Sequence, residues 1–159
     1  MTQAAQPPWL LLRKNLGDPL VAPVMPAGMT LATLDKVQPI ALHALLVSAY
    51  ADGGGRVADL DTWWTKLVND SEFDPALVFV AIDQSGNPAA LCQCWSSGFI
   101  KDLVTAGAHR GQGLGEALLH TAFAAFKARG ITQVDLKVET QNTDAQRLYA
   151  RVGMVETQA

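Results

Sequence analysis

The sequence predicts a mixed α/β fold, an α+β mixed sheet with helices packed against it, and three observations carry the prediction. Val134, Leu136 and Val138 alternate with Asp135, Lys137 and Glu139, the period-two signature of a strand with one buried and one polar face. Leu114, Leu118, Thr121, Ala122, Ala125 and Phe126 instead draw an apolar stripe at helical spacing. Such segments interleave along 159 residues, enough for one domain with a real core and too few for two comfortable ones.

In chain order, residues 1–8 read as a loose tail and Trp9 to Arg13 as a short apolar strand. Pro19, Pro23 and Pro26 mark a Pro-rich link, so residues 1–26 stand apart from a main domain over 27–159. Met29 to Leu34 alternates as a strand, and Asp35 is placed to cap a helix running to about Tyr50, with Ile40, Leu42, Leu45, Leu46 and Ala49 helically spaced. DGGGR at 52–56 reads as a flexible break. The next helix covers roughly Asp61 to Asn69, carries Trp63, Trp64, Leu67 and Val68 on one broad face, and is closed off by Pro75. Leu77 to Ile82 and Ala89 to Trp95 form a hairpin around the turn at 83–88. Ser96-Ser97-Gly98 then leads into a strand over Ile100 to Thr105. A helix from Glu116 to Arg129 stops at Gly130. The last helix is capped by Asn142, carries Ala145, Leu148, Tyr149 and Val152 as its stripe, and ends at Gly153.

Composition narrows the function classes. Apolar residues at 49% and charged residues at 17% exclude disorder, and a net charge of −3 gives no general attraction to nucleic acid or membrane. A small-molecule partner is the default. The N-terminal stretch lacks a basic region, and Pro7-Pro8 precede its short apolar run, so it does not read as a signal peptide. No apolar run approaches the roughly 20 residues that span a bilayer. Cys92 and Cys94 share one strand face and cannot readily bridge to each other, so they read as core residues of a reduced, cytoplasmic protein. No paired ligand set accompanies them, and no metal is expected.

The chemistry concentrates in KDLVTAGAHRGQGLG, residues 101–115, a strand that delivers a Gly-rich turn to the start of a helix. Glycine removes side chains from the path of a ligand, so successive N–H groups can converge on an anion, and the helix they open adds about half a positive charge. Arg110 supplies a full charge beside them. The expected ligand is a phosphate or pyrophosphate. The dinucleotide fingerprint G-x-G-x-x-G fails, because counting from Gly111 through Gly113 puts Glu116 where the third glycine belongs. The P-loop also fails, because no Gly-Lys pair follows.

The spacing that does fit is R-x-x-G-x-G, carried by Arg110, Gly113 and Gly115 and preceded by Leu103 and Thr105. Here the sequence resembles the GNAT superfamily of acetyl-CoA-dependent N-acetyltransferases, whose pyrophosphate loop reads [QR]-x-x-G-x-[GA] after a strand ending L-x-V-x-P. Thr105 stands for the usual Val and Gly107 for the usual Pro. A second block agrees: Asn142, Ala145, Leu148, Tyr149 and Gly153 are similar to the family's N-x-x-A-x-x-L-Y-x-x-x-G-F. The two blocks cover about a third of the chain. Without them, a Gly-rich turn before an ordinary helix would explain the loop.

The resemblance implies a GNAT-like acyltransferase fold over 27–159 and acetyl-CoA as donor. The backbone of Leu103, Val104 and Thr105 would bond the pantetheine arm like an added strand. The N–H groups of Arg110, Gly111, Gln112, Gly113, Leu114 and Gly115 would hold the pyrophosphate. Asn142 would touch the cofactor as well as capping its helix, though capping alone explains it. Tyr149 matches the family's general acid and would also contact the cofactor, although it falls on the helix's apolar face. With a phenol near pKa 10 and a thiol near 8.5, its donation to the leaving thiolate is uphill by about 2 kcal/mol. The thioester carbonyl would sit at the opening between the 100–105 and 134–138 strands, where an N–H can stabilise the developing oxyanion.

The base is less determined. Positions that often carry a carboxylate in the family hold Lys101 and Lys137, which disfavour a cationic acceptor or move proton removal to Asp102, Glu139 or water. Strand alternation points Asp102 to the other face from Lys101. Equally, the lysines would welcome an acceptor with its own carboxylate, such as an amino acid. His109 reads as an exposed loop residue. Tyr50, Trp63 and Trp64 could line the acceptor pocket, or belong to the core. The acceptor itself would be the amine of a small molecule or peptide. The other reading, a non-catalytic acyl-CoA-binding or regulatory module, is favoured by the two lysines and by the few residues after Gly153, where the family usually adds two strands. Trp9 to Arg13 followed by the Pro-rich link looks like the tail of a preceding family domain. We expect that strand to fill the missing edge, within the chain or swapped in a homodimer.

Overall fold

The computed structural model describes residues 7–51 and 56–158, so the expected tail before Pro7 and most of the break at 52–56 lie outside the described residues. Seven strands form one sheet: β1 (Trp9–Asn15), β2 (Thr30–Ala32), β3 (Phe73–Ile82), β4 (Pro88–Trp95), β5 (Phe99–Thr105), β6 (Gln133–Glu139) and β7 (Val155–Glu156). Their order across the sheet is β2-β3-β4-β5-β6-β1-β7. Every neighbour is antiparallel except β5 and β6, which run parallel through a helical crossover.

Helices α1 (Pro39–Ala49) and α2 (Leu60–Val68) cover one face, and α3 (Leu114–Ala128) and α4 (Thr143–Arg151) the other. Alternation sends Val78, Val80, Leu91 and Val104 to the α1/α2 layer, where they meet Leu42, Leu45 and Leu46. Phe79, Cys92, Ile100, Leu136 and Val138 go to the α3/α4 layer and meet Leu118, Phe123, Phe126 and Tyr149. Cys92 and Cys94 are buried and unbridged, with sulfurs 3.7 Å apart.

Several boundaries differ from the sequence reading. Asp35 does not cap α1. It sits in a 3-10 turn, and α1 starts at Pro39, which disfavours a helical Gln38 and needs no hydrogen bond for its own nitrogen. α2 starts at Leu60, one residue before the expected Asp61, and is capped by Asp59, whose Oδ1 accepts the Thr62 N–H at 2.8 Å. β3 begins at Phe73, and Pro75 lies within it, where the register with β4 is broken between Phe73 and Val78 and no ladder donor is required. The edge expectation is met inside the chain: β1 pairs with the whole of β6, from Trp9 opposite Glu139 to Asn15 opposite Gln133. Arg13 clamps Asp135 across that pair with two hydrogen bonds of 2.8 and 3.0 Å. The short strand β7 then adds to the free edge of β1.

Candidate active site

The sheet opens between β5 and β6. They pair only at Phe99 with Asp135 and Ile100 with Leu136, then splay, so the β6-facing backbone of Lys101 to Thr105 has no strand partner. That free edge leads to the Gly-rich loop. Between His109, whose N–H bonds Ala106, and Ala117, whose N–H bonds Gly113, no loop N–H is taken by a described backbone carbonyl. Gly113 caps α3 at φ 89°, a left-handed conformation that L side chains resist, and turns these N–H groups outward. A Cβ on Gly115 would lie 3.1 Å from Leu148, so glycine also lets α4 approach. The result is a groove of about 360 Å³ lined by Thr105, Arg110, Gly111, Gly113, Gly115 and Arg151 among others. Unpaired donors, a helix N-terminus and exposed Arg110 suit a pyrophosphate. Leu103, Val104, Thr105 and the loop residues through Gly115, with Gln112 exposed among them, are therefore brought together along one path. Asn142 caps α4 through Oδ1 to the Ala145 N–H, 3.1 Å away, which leaves its Nδ2 hydrogens for another acceptor.

His109 corrects an expectation. It is half-buried rather than exposed, with Nε2 3.9 Å from Asp83 and Nδ1 buried without a partner.

On the α1/α2 side a second cavity of about 290 Å³ is walled by Leu46, Val57, Trp63, Leu67 and Trp95, with Tyr50 and the buried Asp102 at its base and the exposed Lys101 beside them. Arg56, Lys66 and Asp70 complete its charged lining. Asp102 is buried; its Oδ1 accepts the Tyr50 hydroxyl at 2.7 Å and its Oδ2 the Lys101 ammonium at 3.0 Å. This overturns the expectation that Asp102 and Lys101 point apart. Gln93 faces Asp102 and Cys94 faces Ile100, so Lys101 is an extra residue in β5, and this bulge re-aims the following side chains. Burial, then the Asp102 carboxylate, with Tyr149 beyond, push the Tyr50 phenol far up and keep it a donor.

Tyr149 is 8% exposed, packed with Cys92 and Val138 in the α3/α4 core layer. Burial first, and Cys92 second, push its phenol up to about 12. Lys137 is not at the cavity; its ammonium lies 4.2 Å over the Trp9 ring. Glu139 is exposed at the end of β6 and does not line it either. Trp64 stacks tilted on Trp63, ring centres 5.6 Å apart, without lining the cavity. Arg56, Lys66 and Trp95 were not singled out from the sequence. Only the position of Trp95 at the end of a strand beside the Gly-rich segment pointed towards it.

Residues 40–154 match the Acetyltransferase (GNAT) family. A mycothiol acetyltransferase from Beutenbergia cavernae is 30% identical over 151 residues, which cover 84% of this chain and 48% of that protein. The chain thus spans about half the length of the curated relatives it matches first. A GCN5-related N-acetyltransferase structure from Sphaerobacter thermophilus superposes with a TM-score of 0.79 at 26% identity, over 94% of this chain and 48% of that one. The ribosomal-protein-S18-alanine N-acetyltransferase of Escherichia coli shares the fold, with a TM-score of 0.67 at 21% identity over 82% of this chain and 79% of its own. The splayed parallel pair, the unpaired N–H loop at α3 and the Asn-to-Gly block of α4 all lie within the matched span, and the chain belongs to the acetyltransferase (GNAT) family.

Proposed function

We propose that the chain moves an acetyl group from acetyl-CoA to the amine of a small molecule or peptide. One observation carries this reading: the free edge of Lys101 to Thr105 runs from the Asp102 cavity to the unpaired N–H groups of the Gly-rich loop. An extended donor and an amine acceptor can therefore meet at the splay between β5 and β6. When bound, acetyl-CoA supplies an acyl carbon activated as a thioester, which an uncharged amine can take up directly.

Arg110 and the N–H groups from Gly111 to Gly115 hold the pyrophosphate, and the Leu103–Thr105 backbone bonds the arm. Asn142 offers its Nδ2 hydrogens to the cofactor from the start of α4. Asp102 draws the acceptor's ammonium in and orients it, with Tyr50 and Lys101 fixing the carboxylate. An alkyl ammonium near pKa 10.4 must lose a proton before its nitrogen can attack, and water at the open mouth of the cavity takes that proton. Tyr149 donates its hydroxyl hydrogen towards the departing sulfur. At a pKa of about 12 against a thiol near 8.5, complete proton transfer is uphill by about 5 kcal/mol, more than the sequence reading of about 2. Tyr149 accordingly stabilises the thiolate by hydrogen bonding, and solvent completes its protonation. The buried carboxylate at the acceptor cavity favours an enzyme over a binding-only module.

Calorimetric titration with acetyl-CoA, 3′-dephospho-CoA, ATP and NADH tests the reading. Micromolar acetyl-CoA binding, abolished in Arg110→Ala/Gly113→Asp, is expected. Preference for ATP or NADH, or no acetyl-CoA binding by the wild type, would overturn it.

A further inference from the structure

Below the acceptor cavity lies a void of about 10 Å³, the space of one water-sized group. Leu46, Trp63, Leu67 and Asp102 wall both spaces. Gln93 reaches the void from β4, directly opposite Asp102 in the strand register. Gln93 is 3% exposed. Its Nε2 donates to the Cys94 carbonyl at 3.0 Å, while its Oε1 is buried with no partner. A buried acceptor of this kind is costly to leave empty, and it calls for a donor. Asp102 beside it takes one hydrogen bond on each oxygen, from Tyr50 and from Lys101, and keeps further lone pairs for a donor. The base of the cavity therefore selects a group rich in N–H hydrogens.

The rim has the opposite character. Arg56 and Lys66 line the cavity, and neither enters an ion pair among the described residues. Lys101 is spent on Asp102, which leaves two cations at the rim against the single carboxylate of Asp70. Leu46, Val57, Trp63 and Trp95 supply the apolar part of the lining. An Arg guanidinium matches a carboxylate with two parallel hydrogen bonds.

Resting on the acetyl-transfer reading, we propose that the acceptor is an amino acid with an apolar side chain: its ammonium is held by Asp102 and, through one water, by Gln93, and its carboxylate by Arg56 and Lys66. The lysines singled out in the sequence do not play that part. Lys101 neutralises Asp102 and Lys137 stacks on Trp9.

Trp63 and Trp95 provide the readout, because ligands in the cavity change their fluorescence. L-phenylalanine, phenethylamine and 3-phenylpropanoate are titrated without acetyl-CoA. L-phenylalanine is expected to bind at least tenfold more tightly than either partial analogue. Arg56→Gln/Lys66→Gln should erase its advantage over phenethylamine. Gln93→Leu should weaken both amines severalfold and leave 3-phenylpropanoate unchanged. Equal or tighter binding of phenethylamine, or Gln93→Leu that changes nothing but thermal stability, overturns the proposal. Acetyl-CoA is titrated in parallel: if it binds and the three ligands are not distinguished, this inference alone falls. If L-phenylalanine is preferred and acetyl-CoA does not bind, the acetyl-transfer reading falls and the amino-acid site stands.

Discussion

Asp102 connects three parts of the molecule, because its two oxygens take hydrogen bonds from Tyr50 at the end of α1 and from the adjacent Lys101, while its chain lies on the splayed edge of β5. Tyr50→Phe removes one hydrogen bond to a charged group, worth about 1.5–3 kcal/mol. We expect kcat/KM for the amine to fall by roughly tenfold, with acetyl-CoA affinity unchanged. Asp102→Asn should cost more, about 2–5 kcal/mol, because it removes one partner of a buried hydrogen-bonded charge pair. Steady-state kinetics of both variants that match the wild type would remove Asp102 from the reaction. Tyr149 offers a test in pH. Its folded pKa of about 12 lies above an unfolded value near 10, so its contribution to stability is complete below pH about 10 and is lost as pH rises towards 12. Denaturant melts of wild type and Tyr149→Phe should diverge across that window by up to about 3 kcal/mol, with the variant losing less. At this scale the sequence was legible where glycine is required by the backbone, in the left-handed Gly113 and in Gly115, against which Leu148 packs. It was misleading at Asp102, because a one-residue bulge breaks the alternation from which the face was inferred.

Elements were legible where their signals are local. Asn142 and Gly153 bracket α4 as expected, and Asn142→Ala should lower stability by about 1 kcal/mol through the lost cap. If Nδ2 also touches the cofactor, the same change will weaken acetyl-CoA binding in calorimetry; unchanged affinity would reduce Asn142 to a cap. Gly113→Ala should cost a further 1–2 kcal/mol, roughly, because φ is 89° there. The start of α1 was misplaced for an equally local reason. Asp35 has the chemistry of a cap, but Gln38-Pro39 governs the backbone a turn later, since proline restrains the residue before it.

For the whole molecule the decisive element is β1, which covers the outer edge of β6 along all seven of its pairs and provides the edge on which β7 forms. Leu12, 6% exposed within the α3/α4 core layer, anchors it. Leu12→Ala is expected to cost about 2–5 kcal/mol by thermal denaturation. Removal of residues 1–20 should yield aggregating or unfolded protein, because it would bare β6 as an apolar edge. A truncated protein that stays monomeric with the wild-type melting temperature would show that the strand is dispensable. No helix among the described residues is long and apolar enough to cross a membrane.

By itself the sequence determined the class of fold, the strand-loop-helix around the Gly-rich turn and the place of Tyr149 on the apolar face of α4. Each depends on a repeat or a spacing within some fifteen residues, and backbone sterics act over that range. Tertiary structure alone decided that Trp9–Asn15 lies beside β6 in the same chain, that β5 and β6 part after Ile100, and that Tyr50, Arg56 and Asp102 gather around one cavity with Gln93 at the adjoining void. The 50–56 and 93–102 segments are separated by more than thirty positions, as β1 is from β6 by more than a hundred, and no local preference brings them together. They meet because two core layers pack on opposite faces of one sheet, and because a bulge turns Asp102 towards the α1/α2 layer.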